Sequence, residues 1–224
     1  MFGGAYCVAE GGIIMGWIEV DFPKEKFTSK GLDDFFSGYS NIWKPLLPGS
    51  KVGGVYYRPF VSMKDGSSTL IAVVLVKYST ARRSLTYKDM SDSMEPYYYS
   101  CPKKILDAVG GVQGAADESQ RRWREKCYAM LEKKKLARKV SDGTYLRFKD
   151  KLSFTSGEKG RYFEFCRKKG RTPYFMLFTS IKESGAKDVD FVRINGWQEM
   201  DFEIISEHEL NEGLKREYTS SFVG

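Results

Sequence analysis

The chain carries a single histidine, His208, which stands between Glu207 and Glu209 in a polar stretch near the end. Ser-His-Asp and Cys-His catalysis need an imidazole held by a second group, so a histidine-dependent hydrolase has little to build on. Cysteine is sparse as well. Cys7, Cys101, Cys127 and Cys166 lie far apart, none at zinc-knuckle spacing. With 224 residues and 42% apolar content the chain has core enough to do without disulfide staples. Free thiols in a reducing, cytoplasmic setting are expected. Long apolar runs are missing too: the longest, residues 70–76, falls far short of the ~20 residues that span a bilayer, so no membrane partner is expected. No Lys or Arg precedes Lys24, which argues against a secretory signal. Residues 1–14 read as a poorly structured leader ahead of Met15.

Aromatic residues are plentiful at 15%, with 14 Tyr and 15 Phe, and flat rings favour pleated surfaces. The net charge of +7 is unevenly spread. Residues 115–139 hold nine basic side chains (Arg121, Arg122, Arg124, Lys126, Lys133, Lys134, Lys135, Arg138, Lys139) against four acidic ones, giving +5 and leaving +2 for the rest.

Along the chain, residues 16–22 alternate as a short strand. Leu32, Phe35, Phe36, Tyr39 and Trp43 recur at spacings of three and four, which predicts a helix over 32–43 that ends near Pro45. Residues 55–63 and 69–78 read as two strands joined by a Lys64-Asp65-Gly66 turn. The second is apolar on both faces, as in a central strand, and Pro59 pushes the first toward an edge. Residues 84–100 read as a long ordered loop and 102–109 as a brief helix. A glycine joint at 110–114 leads into a helix over 115–139, with Ala116, Trp123, Cys127, Met130 and Leu131 as its core-facing stripe. Beyond Ser141-Asp142-Gly143 the period changes to two, and strands are expected near 146–154, 161–167, 174–179, 189–194 and 201–205. These elements predict an α+β fold: an N-terminal antiparallel sheet with short helices, a central basic amphipathic helix, and a small C-terminal antiparallel β module. The expected divisions are 1–14, 15–139, 140–206 (packed on the preceding domain, or one single domain with it) and a polar, frayed or weakly helical tail over 207–224.

Four groups of residues bear on function. Asp89, Asp92 and Glu95 are three apart, so in a helical turn their carboxylates would line one side and could hold Mg²⁺ for phosphoryl transfer or nuclease chemistry. Their structural alternative is turn capping by Asp. Tyr97-Tyr98-Tyr99 supplies either core or a stacking platform for bases, with Tyr97 and Tyr99 on one side of a strand. Gly110 to Gly114 lacks the Lys-Ser/Thr ending of a phosphate loop, and Asp117 and Glu118 in the following first turn would repel a phosphate. Finally, Arg121, Arg122, Arg124, Lys133, Lys134 and Arg138 form a basic helix face suited to nucleic acid or an acidic protein. Lys168, Lys169 and Arg171 form a second basic finger. Neither cofactor nor metal follows from these patterns unless the carboxylate alternative holds. A packed residue is the reading for Cys101, since no base stands near it in sequence.

Met15-Gly16-Trp17, Tyr87-Lys88-Asp89-Met90, Cys101-Pro102, Ile105-Leu106, Trp123-Arg124 with Cys127, and Gly196-Trp197 together resemble an uncharacterised bacterial family found on plasmids and other mobile elements. The resemblance spans about residues 15–202. Where that family has Gly before the proline that follows the Tyr-Lys-Asp-Met segment, this chain has Glu95 before Pro96. It implies no activity or catalytic residue, only a setting: an accessory protein of a phage or plasmid, for which inhibition of host defence is one role. The sequence thus leads to a non-enzymatic binding protein that engages nucleic acid or an acidic host protein. The alternative is a Mg²⁺-dependent enzyme at Asp89, Asp92 and Glu95.

Overall fold

A computed structural model describes residues 16–37, 42–93, 98–167, 172–182 and 184–219. The chain is α+β, with two antiparallel sheets and helices packed on them. It divides into two compact units, Met1–Leu131 and Glu132–Gly224. That boundary falls inside the central helix, earlier than the division after residue 139 that the change of period suggests. The expected leader over 1–14 lies outside the described residues.

In the first unit β1 (Ile18–Asp21), β2 (Trp43–Pro45), β3 (Ser50–Val52), β4 (Val55–Ser62), β5 (Thr69–Ser79) and β6 (Ser84–Ser91) form one sheet, ordered β1-β6-β5-β4-β2 with β3 also on β4. Its centre is apolar on both faces because helices cover both. On one face Tyr56, Val74, Val76, Leu85 and Tyr87 meet Leu32 and Phe36, from α1 (Ser29–Phe35) and its end. On the other, Val55, Tyr57, Ile71 and Val73 meet Ile105 and Leu106 of α2 (Lys103–Ala108) and Trp123 and Cys127 of α3 (Glu118–Ala137). Neighbouring residues such as Tyr56 and Tyr57 serve opposite cores, as a pleated strand requires.

Three expectations for this unit need correction. The helix expected over 32–43 is only Ser29–Phe35. The Thr28 side chain caps its start by accepting from the Gly31 amide at 3.1 Å, and the Ser37 hydroxyl bonds the Asp34 carbonyl at 2.7 Å where the helix closes. Trp43 belongs instead to β2, opposite Ser62. The loop expected over 84–100 begins with a strand, β6, paired on both sides and burying Leu85 and Tyr87 at alternate positions. Its half-buried polar residues hide that period. Pro59 does not make β4 an edge strand; the outer partner is interrupted at that point. β2 ends with Pro45 opposite Phe60 and β3 starts with Ser50 opposite Tyr57, so no ladder bond is required of the missing amide.

The second unit is a five-stranded sheet ordered β10-β9-β8-β7-β11, from β7 (Thr144–Ser153), β8 (Lys159–Cys166), β9 (Tyr174–Ile181), β10 (Lys187–Val192) and β11 (Phe202–Ile205). Leu146, Phe148, Phe163, Phe165, Phe175 and Leu177 pack one face around Trp197. The other face carries α4 (Glu207–Thr219), whose Leu210 and Leu214 are fully buried against Tyr162 and Phe178. The tail expected to be frayed or weakly helical is therefore a docked helix over its described part. Ser206 and Glu209 cap it reciprocally: the Glu209 amide donates to the Ser206 hydroxyl at 3.2 Å, and the Ser206 amide donates to the Glu209 carboxylate at 2.7 Å. Among the described residues no helix is long and apolar enough to cross a membrane.

Candidate partner-binding face

The central helix begins behind Asp117, whose carboxylate accepts from the Gln120 amide at 2.8 Å. Trp123 and Cys127, four residues apart, are fully buried, and Tyr128 and Leu131 pack against the same core, so most basic side chains of α3 fall on its other faces. The basic side chains then separate into three groups.

Arg124 is the first and corrects the expectation that it meets a partner. It is fully buried. Its Nε donates to Asp92 at 2.9 Å, its Nη1 to the carbonyls of Val109 and Gly111 at 3.2 and 3.0 Å, and its Nη2 to Gln120 at 3.3 Å. Thr69 adds to the same knot, its hydroxyl donating to the Gly114 carbonyl at 3.0 Å. Arg124 therefore ties the start of β5, the end of β6 and the glycine turn to the helix. Arg122, two residues before it, and Glu125, one after it, are exposed, and sequence shows no difference between the two kinds of arginine.

The second group is neutralised at the surface. Lys133 pairs with Asp201 at 2.8 Å, Lys134 with Glu199 at 3.2 Å and Lys135 with Glu132 at 3.4 Å. Arg121 is bonded to Glu118 through Nε at 2.9 Å. Exposed pairs of this kind contribute little to stability, about 0–1 kcal/mol, but they lower the charge that α3 offers. Arg138 is exposed.

The third group is a cation-and-ring cluster. The Lys126 ammonium lies 5.3 Å from the Tyr99 ring centroid and within 3.4 Å of its hydroxyl. Arg122 stands one turn earlier, exposed, and only 4.0 Å from Glu118, which it shares with Arg121. Tyr98 is 52% exposed. Buried Tyr57 holds this tyrosine segment in place: its hydroxyl donates to the Tyr98 carbonyl at 3.1 Å and shares a 2.7 Å hydrogen bond with Ser100. Burial raises the Tyr57 phenol well above its ordinary value, so it keeps its proton for those bonds. Lys126, Tyr98 and Tyr57 were not among the partner residues expected from sequence. The available signal was the four-residue step from Arg122 to Lys126. Tyr97, Lys168, Lys169 and Arg171 lie outside the described residues.

The carboxylate triad is not assembled among the described residues, and Glu95 lies outside them. Asp89 is opposite Val74, on the α1 face of the sheet, whereas Asp92 turns to Arg124 on the α3 face. A strand sends residues three apart to opposite sides, where a helical turn would have aligned them. Burial raises the Asp92 carboxyl pKa against the pull of Arg124. No group of three or more His, Cys, Asp or Glu among the described residues is placed to hold a metal ion. Cys101 and Cys127 are free thiols inside the core, and burial pushes Cys127 up to about 12, far from a nucleophile's range.

Residues 115–197 match the model of a family described as a domain of unknown function, DUF6927. No curated protein and no solved structure matches the chain. The matched stretch contains Arg122 and Lys126 of the cluster, while Tyr98 and Tyr99 precede it.

Proposed function

We propose that the chain is a non-catalytic cytoplasmic binding protein that engages nucleic acid through Tyr98, Tyr99, Arg122 and Lys126. The observation that carries this reading is the Lys126 ammonium over the Tyr99 ring beside a half-exposed Tyr98. Cations next to accessible rings suit phosphates flanked by unpaired bases, because stacking is worth roughly 1–3 kcal/mol per base and needs no particular base. The pairing of Lys133 and Lys134 with Glu199 and Asp201 argues against a long groove tracking duplex DNA and favours a short contact. An acidic host protein is the alternative partner for the same cations. In the plasmid or phage setting that the resemblance implies, the protein would act as an accessory factor, with inhibition of host defence as one role.

The test is fluorescence anisotropy with a labelled oligothymidylate. Tyr98→Ala should weaken binding by about 5- to 100-fold, the range one stacked base supports. Lys126→Glu with Arg122→Glu should flatten the salt dependence by roughly 0.7 in log–log slope per lost contact. Binding that ignores all three substitutions overturns the proposal. Capture of a host protein that survives nuclease and is lost in the charge reversals assigns the face to an acidic protein instead.

A further inference from the structure

The second unit ends on one side in β10, which hydrogen-bonds to β9 and, among the described residues, has no other strand beside it. Exposed edges are usually blunted by charge, proline or a bulge, because their free amides and carbonyls recruit other strands. The pairing of β10 with β9 shifts register between Asp188 and Val189, where Thr179 of β9 is the extra residue, so β10 itself runs without a bulge and pairs regularly from Val189 to Val192. This regular part carries the most exposed large apolar side chain among the described residues of the unit, Phe191 at 65%, with Val189 at 37% two residues away on the same face. Tyr174 meets Phe191 edge-on, with ring centroids 5.6 Å apart, and extends that apolar strip onto β9. Asp190, between the two, points to the opposite face and is exposed. Asp188, by contrast, is already engaged by Ser180 and by Lys182 at 3.0 Å.

We propose that β10 is a docking edge for an extended segment of another protein, one with a basic side chain between two apolar ones. The backbone ladder requires an extended partner, and Val189 and Phe191 require apolar residues on one face. The carboxylate of Asp190 requires a cation on the other. A second copy of this chain fits poorly. Two-fold antiparallel pairing keeps each face on its own side, so within β10 Asp190 could stand opposite only Asp190, Asp188 or Val192 of the copy. Two of those registers oppose like charges, and the third leaves Asp190 without a cation.

The probe is a labelled, end-blocked peptide of alternating Val and Lys, compared with its Val-Glu counterpart and with an N-methylated Val-Lys version, all titrated into the full chain. The Val-Lys peptide should bind about fivefold more tightly than Val-Glu, the ratio one cross-strand ion pair supports. Asp190→Lys should invert that preference, Phe191→Ser should weaken both, and N-methylation should abolish binding because it removes the ladder donors. An unaltered preference in Asp190→Lys, full binding of the N-methylated peptide, or no binding of any peptide overturns the proposal. So does sedimentation showing a dimer that Phe191→Ser dissolves, which would assign the edge to a second copy.

Discussion

Replacing Arg124 by methionine separates a structural role for this residue from a partner-binding one. Methionine keeps most of the buried stem and removes the guanidinium. Asp92, fully buried, then has no cation facing it, and breaking a buried pair from one side costs about 3–5 kcal/mol. The carbonyls of Val109 and Gly111 also lose donors at 3.2 and 3.0 Å, at about 1 kcal/mol each, which places the expectation in the upper half of that range. Combining Arg124→Met with Asp92→Leu removes the stranded charge as well, so stability should partly return, leaving a deficit of about 1–2 kcal/mol for the carbonyls. Guanidinium chloride unfolding gives the totals. Hydrogen exchange in peptides from β5 and α2 reports the first unit by itself. A single variant within about 0.5 kcal/mol of the parent, the range of ordinary surface changes, would refute the knot. If oligonucleotide affinity then also fell, Arg124 would be a partner contact after all.

Two further expectations concern Asp92 and the docking of α4. Burial raises the Asp92 carboxyl, so the native chain holds that proton more tightly than the unfolded chain does. Its contribution to stability is then full below about pH 4, the unfolded value, and declines as pH rises through the native value. Asp92→Asn cannot ionise, so the parent's advantage over this variant should shrink between acid and neutral pH in denaturant titrations; a widening gap would show that the Arg124 attraction outweighs burial. A Cβ at Gly213 would lie 2.3 Å from the Tyr162 hydroxyl oxygen and 2.5 Å from its ring carbon, with Tyr162 only 6% exposed. Gly213→Ala should therefore cost about 1–3 kcal/mol through overpacking, and Tyr162→Leu in the same chain should return part of it, read by thermal melting.

The fold was legible wherever one periodicity governed a whole element. Thr69–Ser79 reads as a central strand because both faces are apolar, and helices do cover both. The strands from Thr144 to Ile205 fall close to where the period of two puts them. Two of the elements that were harder to read bury few positions among polar ones. β6 mixes Ser, Thr, Lys and Asp into a strand whose buried positions are only Ser84, Leu85 and Tyr87, so its composition looks like a loop. Among its described side chains α4 buries just Leu210 and Leu214, between charged neighbours. Its docking depends on Gly213 allowing close approach to Tyr162, a contact that no local pattern encodes.

The site was less legible, because charge counted along a helix differs from charge presented to a partner. The window 115–139 sums to +5, yet Arg124 is interior and the partners of Lys133 and Lys134 are Asp201 and Glu199, far outside any such window. Each of these pairings removes a cation from the face, and none is visible before the chain folds. Lys126, one turn from Arg122, gains its character from Tyr99, brought to it across 27 residues of sequence. The carbonyl of Tyr98 is in turn fixed by the Tyr57 hydroxyl from 41 residues away. Tyr57→Phe tests that dependence within the proposed function. It removes one hydroxyl from a buried ring and leaves every cation in place, so the folded chain should retain its charge and its salt slope. Oligothymidylate affinity should nonetheless fall, because the tyrosine segment loses the bonds that hold it beside Lys126.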